Sequence, residues 1–151
     1  TYLCRLDIRR YIKMINVITP FVINMYYFCD PDGRSEFVWA HDKNIPVDDG
    51  TPYMGKFTFK DIECKDCEVM AAYFDGLAEL PIKEIRIENV SFGFKNDAQP
   101  DLPAMALRVE KHCREGIYAD NVEKLILKNV TFDNVSGEEI ILKDVGELVK
   151  E

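Results

Sequence analysis

The sequence predicts an all-β fold, a right-handed parallel β-helix (solenoid), and this chain is expected to hold roughly its last four coils. Two observations predict it: a short motif recurs along the chain, and apolar residues alternate with period two inside each copy. A length of 151 residues, 47% of them hydrophobic, suffices for one domain with a sizeable core. A two-sheet β-sandwich is the main alternative.

The recurring motif reads apolar, any, apolar, polar, Asn or Asp, then Val or Ile. Its five copies lie at 12–17, 57–62, 85–90, 125–130 and 140–145. The alternation predicts a strand with one buried face. Asn and Asp tolerate the left-handed conformation, so we expect each to bend its strand and to turn the next apolar residue inward. The amides of Asn89 and Asn129 are expected to bond from coil to coil, in preference to N-glycosylation at these positions.

Other apolar runs separate the motif copies and are predicted to supply further strands. They lie at 20–25, 69–74 and 104–109, and the third also fits a helical stripe, although a strand is favoured. Two segments rich in Pro, Gly, Asn and Asp, 29–53 and 95–103, are predicted to be inserted loops in a single partial domain, 1–151. Insertions of this kind usually lie on one face of a solenoid, often the binding face.

Charge and hydropathy exclude two classes of partner. The chain has 27 acidic and 19 basic residues, a formal net charge of −8, which repels nucleic acid and anionic lipid. No run approaches the 18 or more apolar residues of a membrane-spanning helix. We therefore expect neither nucleic acid nor a membrane as partner.

Candidate metal ligands and acid–base groups are few. Cys64 and Cys67 form a Cys-x-x-Cys pair, but no second pair completes a zinc set, so buried thiols are predicted and neither metal nor cofactor is expected. For His41, a surface position is favoured over catalysis. Asp48 and Asp49 are expected to form turns.

Several segments together resemble a known enzyme family. They are residues 19–33, the Val-Asp-Asp-Gly-Thr-Pro-Tyr run at 47–53, the Ala-Ala-Tyr-Phe-Asp-Gly-Leu run at 71–77, the Leu-Pro-Ile at 80–82 and the motif copy at 85–90. In this order and spacing they resemble the C-terminal half of glycoside hydrolase family 28, the polygalacturonase and pectinase group. The resemblance implies the same fold, a right-handed parallel β-helix.

The resemblance also implies a chemistry and a substrate. The family hydrolyses galacturonide bonds with carboxylates as acid and base. Its Asn-Thr-Asp, Asp-Asp and Gly-His-Gly motifs have no counterpart here, since Asp48-Asp49 lies in a Pro- and Gly-containing loop, so no catalytic residue is assigned. Tyr27 stands where the family has a substrate-contacting tyrosine, and Tyr26 is expected to extend that aromatic platform. Packing is the alternative for both.

These observations predict the C-terminal part of a polygalacturonase-like glycoside hydrolase that acts on galacturonate-containing polysaccharide and is inactive as an isolated chain. The alternative is a non-catalytic carbohydrate-binding or structural β-solenoid. The expected partners are a polysaccharide or oligosaccharide, and either upstream β-helix coils or a second copy that covers the first coil. The polysaccharide, the mode of attack and the compartment stay open.

Overall fold

The computed structural model describes residues 4–8, 11–26, 40–106 and 108–151. The described residues form strands joined by turns and loops, without a helix. The strands are β1 (Cys4–Ile8), β2 (Ile12–Ile15), β3 (Phe21–Asn24), β4 (Met54–Cys67), β5 (Met70–Asp75), β6 (Glu84–Phe94), β7 (Glu115–Asp120), β8 (Val122–Asp133), β9 (Ile140–Leu142) and β10 (Val145–Lys150). The all-β prediction is confirmed.

The strands form two sheets, and every pairing between these strands is parallel. The larger sheet has the order β1-β4-β6-β8-β10, and β2 also pairs with β4; the smaller sheet has the order β3-β5-β7-β9. From β3 onward the chain alternates between the sheets, so each strand pairs with the next strand but one. No described helix is long and apolar enough to cross a membrane.

The three central copies of the motif align in register, as predicted. Phe57 pairs with Ile85, and Ile85 pairs with Leu125, on β4, β6 and β8. All three side chains are buried in the core between the sheets. Period-two alternation was therefore a correct guide to which face of these strands is buried.

The Asn or Asp of each central copy bends its strand in the predicted way. Asp61, Asn89 and Asn129 have φ angles of 57°, 53° and 49°, in the left-handed region. The Asn129 amide donates to Asn89 Oδ1 at 3.0 Å, and the Asn89 amide donates to Asp61 Oδ1 at 2.9 Å. We call these three residues the amide row; the predicted bonding between neighbouring strands is confirmed.

The first and last copies of the motif occupy different places from the central ones. Ile12 pairs with Ile62, five residues beyond Phe57, whose partner on β1 is Leu6. Residues 140–142 form β9 in the smaller sheet, beside Ile117. Strands of both sheets bury alternate apolar residues, so a six-residue pattern does not show to which sheet a strand belongs. It also does not show with which residues the strand pairs.

The predicted strand at 104–109 is wrong. Met105 and Arg108 have φ angles of 59° and 56°, which interrupt an extended conformation, and the described part of 95–114 contains no strand. Ala106 instead packs on the outer side of the smaller sheet against Tyr73. In the smaller sheet β5 pairs with β3 and with β7, and sequence analysis did not identify β7.

The described part of the first predicted loop, residues 40–53, contains turns and no strand. The Asp48 carboxylate accepts hydrogen bonds from the amides of Gly50 and Thr51, at 2.8 and 3.1 Å, so Asp48 stabilises a turn as predicted. The rest of this loop, up to residue 39, lies outside the described residues.

The core between the sheets is apolar and contains both central cysteines. Phe21 stacks on Phe59 with ring centroids 4.5 Å apart. Cys64 and Cys67 are buried free thiols, as predicted, and burial raises the pKa of each to about 12. Both therefore stay protonated and act as small apolar residues.

Candidate functional site

Buried carboxylates lie side by side on the outer face of the smaller sheet. The parallel register aligns Asn24 with Asp75, and Asp75 with Asp120, on β3, β5 and β7. Their sequence neighbours Phe74 and Ala119 point into the core, so these polar side chains point the other way. We call Asp75 and Asp120 the acid row.

Tyrosines flank the acid row and donate weakly to it. The rings of Tyr73 and Tyr118 stack with centroids 5.0 Å apart and planes 7° apart. Their hydroxyls donate to Oδ2 of Asp75 at 3.3 Å and to Oδ2 of Asp120 at 3.4 Å, both longer than a usual O–H···O bond. The tyrosines thus replace water around the carboxylates but bind them only weakly.

The acid row is almost fully desolvated and only partly paired. Asp75 is 4% exposed and Asp120 is 1% exposed, and the Oδ1 atom of each has no hydrogen-bond partner. Lys143, which follows β9, donates to Asp120 Oδ2 at 2.8 Å. Burial, together with the nearby Asp120 charge, raises the pKa of Asp75 to about 7, although Tyr73 and Lys143 lower it. Asp75 therefore exchanges its proton near neutral pH.

The structure places His41 over Asp75. Its Nε2 atom lies 3.7 Å from Asp75 Oδ2, too far for a hydrogen bond, and has no other partner. Burial and the charge of Lys143 lower the pKa of His41, so the imidazole is neutral at neutral pH. The sequence predicted a surface position; the fold instead gives a partly buried ring, 31% exposed, beside an acid 34 residues away in sequence.

A cavity of about 220 Å³ opens beside His41. It is lined by Met25, Tyr26, His41, Asp42, Ile45, Leu77 and Glu79. The Tyr26 and His41 rings meet edge to face, with centroids 3.9 Å apart, and form an aromatic wall. Asp42 and Glu79 add two carboxylates to the lining.

Of the two predicted substrate-contacting residues, Tyr26 lies in this cavity wall, and Tyr27 lies outside the described residues. Tyr26 is buried, and its hydroxyl accepts a hydrogen bond from the Ala78 amide at 2.9 Å. Burial raises the pKa of Tyr26 to about 12. Its backbone amide donates to Asn24 Oδ1 at 2.8 Å, so this residue of the cavity wall is held at the end of β3. The part of Tyr26 available to a ligand is its ring.

Within the described residues, no three or more His, Cys, Asp or Glu side chains are placed to hold a metal ion.

Sequence reasoning missed the acid row, although it carries a signal. A Tyr-x-Asp tripeptide occurs at 73–75 and again at 118–120, and each is followed by a turn residue, Gly76 or Asn121. Residue Asn121 has a φ angle of 52°, and its amide donates to the Gly76 carbonyl at 3.1 Å. This second repeat marks the ends of neighbouring strands, where side chains meet.

No family model, curated protein or solved structure matches this chain. The resemblance to glycoside hydrolase family 28 therefore stays a prediction that rests on the sequence segments alone.

Proposed function

We propose that this chain is the C-terminal part of a right-handed parallel β-helix of the polygalacturonase type, and that it contacts a galacturonate-containing polysaccharide without cleaving it. The fold supports the first half of this proposal. All pairings between the described strands are parallel, and from β3 onward the chain alternates between two sheets. Immunoglobulin-like sandwiches and lectin jelly rolls are built mainly from antiparallel strands, so the alternative β-sandwich is disfavoured.

The observation that carries sugar contact is the cavity at the end of β3. The resemblance expects a sugar-contacting tyrosine directly after this strand, and the cavity there has an aromatic wall of Tyr26 and His41 beside the carboxylates of Asp42 and Glu79. Aromatic rings pack against the C–H groups of a sugar, while polar side chains bind its hydroxyls. These are the two kinds of group that a sugar site needs.

The absence of cleavage follows from the sequence and from burial. The acid and base motifs of the family have no counterpart in this chain. The acid row does not replace them, because Lys143 holds Asp120 in an ion pair and the burial of both carboxylates excludes the water that hydrolysis consumes. Two carboxylates on either side of a glycosidic bond require access by both sugar and water.

Calorimetric titration of the full chain with a mixture of free and methyl-esterified oligogalacturonides tests binding, and a reducing-sugar assay of the same samples tests cleavage. We expect saturable binding and no new reducing ends. Tyr27→Ala should weaken binding, with Tyr53→Ala, in the loop before β4, as a matched aromatic control. Absence of binding would favour the structural β-solenoid, and release of reducing sugar would contradict an inactive chain.

We also propose that upstream coils or a second copy cover the edge formed by β1 and β2. Tyr11, Ile15 and Ile18 beside this edge are 73%, 50% and 45% exposed. Unpaired strand edges with exposed apolar side chains favour association. Light scattering over a concentration series should show association that Ile15→Lys reduces; a monomer at every concentration would contradict self-association.

A further inference from the structure

We propose that the acid row and His41 form a site for the hydroxyl groups of an uncharged sugar unit, so that the chain prefers an esterified galacturonate to the free acid. This inference rests on the proposed sugar binding and specifies which chemical form of the sugar is bound.

The first argument is that three buried polar atoms of this cluster lack hydrogen-bond partners within the part of the chain that the structure describes. They are Asp75 Oδ1, Asp120 Oδ1 and His41 Nε2. Buried polar atoms are nearly always hydrogen-bonded, so a group of three without partners indicates a site for a ligand. The carboxylate oxygens accept, and the imidazole nitrogen accepts or donates according to its tautomer. A sugar hydroxyl both donates and accepts, and neighbouring hydroxyls suit carboxylates on strands about 4.8 Å apart.

The second argument is the charge of the site. Lys143 balances the charge of Asp120, and Asp75, with a pKa of about 7, is protonated for much of the time at neutral pH. This leaves the inner part of the site with little net charge. Asp42 and Glu79 line the cavity in front of it, so a uronate carboxylate would be repelled there. An ammonium group would compete with Lys143 for Asp120 and gain little, which favours an uncharged ligand.

The third argument is the size of the cavity and the position of His41. A volume of about 220 Å³ is below the range of about 300–1,000 Å³ for drug-sized ligands, so it suits a single sugar unit. The His41 ring lies between the cavity wall and Asp75. Because Nε2 makes no hydrogen bond, the ring can turn toward a hydroxyl without losing one, which opens a route to the carboxylates.

The test compares digalacturonic acid with its dimethyl ester, by calorimetry on the full chain at pH 7. We expect the ester to bind at least about fivefold more tightly, because one like charge at close range in water costs about that factor. Asp75→Ala should weaken ester binding about tenfold, since it removes both carboxyl oxygens that bind a hydroxyl. His41→Gln, at a partly exposed position, should weaken it as well.

Asp133→Asn, an exposed carboxylate at the end of β8, is the matched control and should leave binding unchanged. Circular dichroism confirms that each variant is folded. Equal binding of both probes, tighter binding of the free acid, or an ester preference that Asp75→Ala and His41→Gln both leave intact would overturn this inference while the proposed function stands. If neither probe binds to the wild-type chain, the proposed function itself is wrong.

Discussion

The molecule contains two rows of polar residues that the same parallel register builds in opposite ways. The amide row, Asp61, Asn89 and Asn129, lies on the larger sheet, where each amide donates to the next residue. The acid row, Asp75 and Asp120, lies on the smaller sheet, and each member keeps one buried oxygen without a partner. Stacking identical positions is favourable for amides and unfavourable for carboxylates.

The difference follows from donor and acceptor chemistry. An amide both donates and accepts, so a row of amides satisfies itself. Ionised carboxylates only accept, and neighbouring ones repel each other unless one holds a proton. The amide row therefore needs nothing outside the fold, whereas the acid row needs a proton, Lys143 and a further donor. Buried groups that reduce stability in this way are typical of functional sites.

The largest expected effect contrasts the two faces of β5. Phe74 is fully buried in the core, and its neighbour Asp75 is buried on the opposite face. Phe74→Ala should reduce the free energy of unfolding by about 3–5 kcal/mol, because it leaves a cavity. Urea unfolding at pH 8 measures this loss. A loss below about 1 kcal/mol would mean that the smaller sheet contributes little to the core.

The second effect has the opposite sign and depends on pH. Asp75 has a raised pKa, about 7 in the folded chain against an ordinary value of 3.8, so the folded state holds this proton more tightly. Its contribution to stability is fully present below about pH 4 and is lost as the pH rises through about 7. Asp75→Asn should remove this loss and stabilise the chain by about 1–4 kcal/mol at pH 8.

Urea unfolding of wild type and Asp75→Asn between pH 4 and pH 8 measures the difference. The control is Asp133→Asn, whose exposed carboxylate should leave the pH profile unchanged. The groups that face Asp75 are Asp120, Tyr73, Lys143, Asn121 and His41, and all five are kept in both chains. A constant difference across this range would mean that Asp75 titrates normally.

The third effect breaks the amide row. Asn89→Ala removes the bonds to Asp61 and Asn129 and places an alanine at a φ angle of 53°. We expect a loss of about 1–3 kcal/mol. Asn89→Gly also loses both bonds but tolerates this φ angle, so the difference between the two variants isolates the backbone term. Equal stability of Asn89→Gly and wild type would show that the amide bonds contribute nothing.

The fold was predictable from sequence where a single residue indicated both a bend in its strand and the pairing with the next strand. Asn89 and Asn129 interrupt the apolar alternation and also bond to the neighbouring strand, so they marked both the bend and the register. The copies at 12–17 and 140–145 have the same sequence pattern but lie at different positions in the sheets. Alternation indicates which face of a strand is buried, but not which strand it pairs with. Of the two partners of β5, β7 was missed because the segment 104–109 is more apolar than β7, although Ala106 of that segment packs on the outer side of the sheet.

The site was less predictable, because its parts come from distant segments. His41 lies over Asp75 only because the segment after residue 39 returns to the end of β5, and nothing next to His41 in sequence indicates this. Tyr26, singled out through the family resemblance, lines the cavity, and its contact with a sugar stays a prediction. The two Tyr-x-Asp tripeptides are visible in the sequence. Their burial, which raises the pKa of Asp75, depends on distant segments that pack over them in the tertiary fold.

The smallest expected effect separates the two tyrosines beside the acid row. Tyr73 donates to Asp75 Oδ2 at 3.3 Å and keeps its proton, because burial raises its own pKa. Tyr73→Phe should raise the pKa of Asp75 above 7 and cost less than about 1 kcal/mol at pH 5, because Asp75 is then protonated. Carbon NMR titration of the aspartate carboxyls measures this. Tyr118→Phe, which loses a donor to Asp120, is the matched control and should move Asp75 less. An unchanged Asp75 titration in Tyr73→Phe would mean that burial alone, and not the tyrosine, sets its proton affinity.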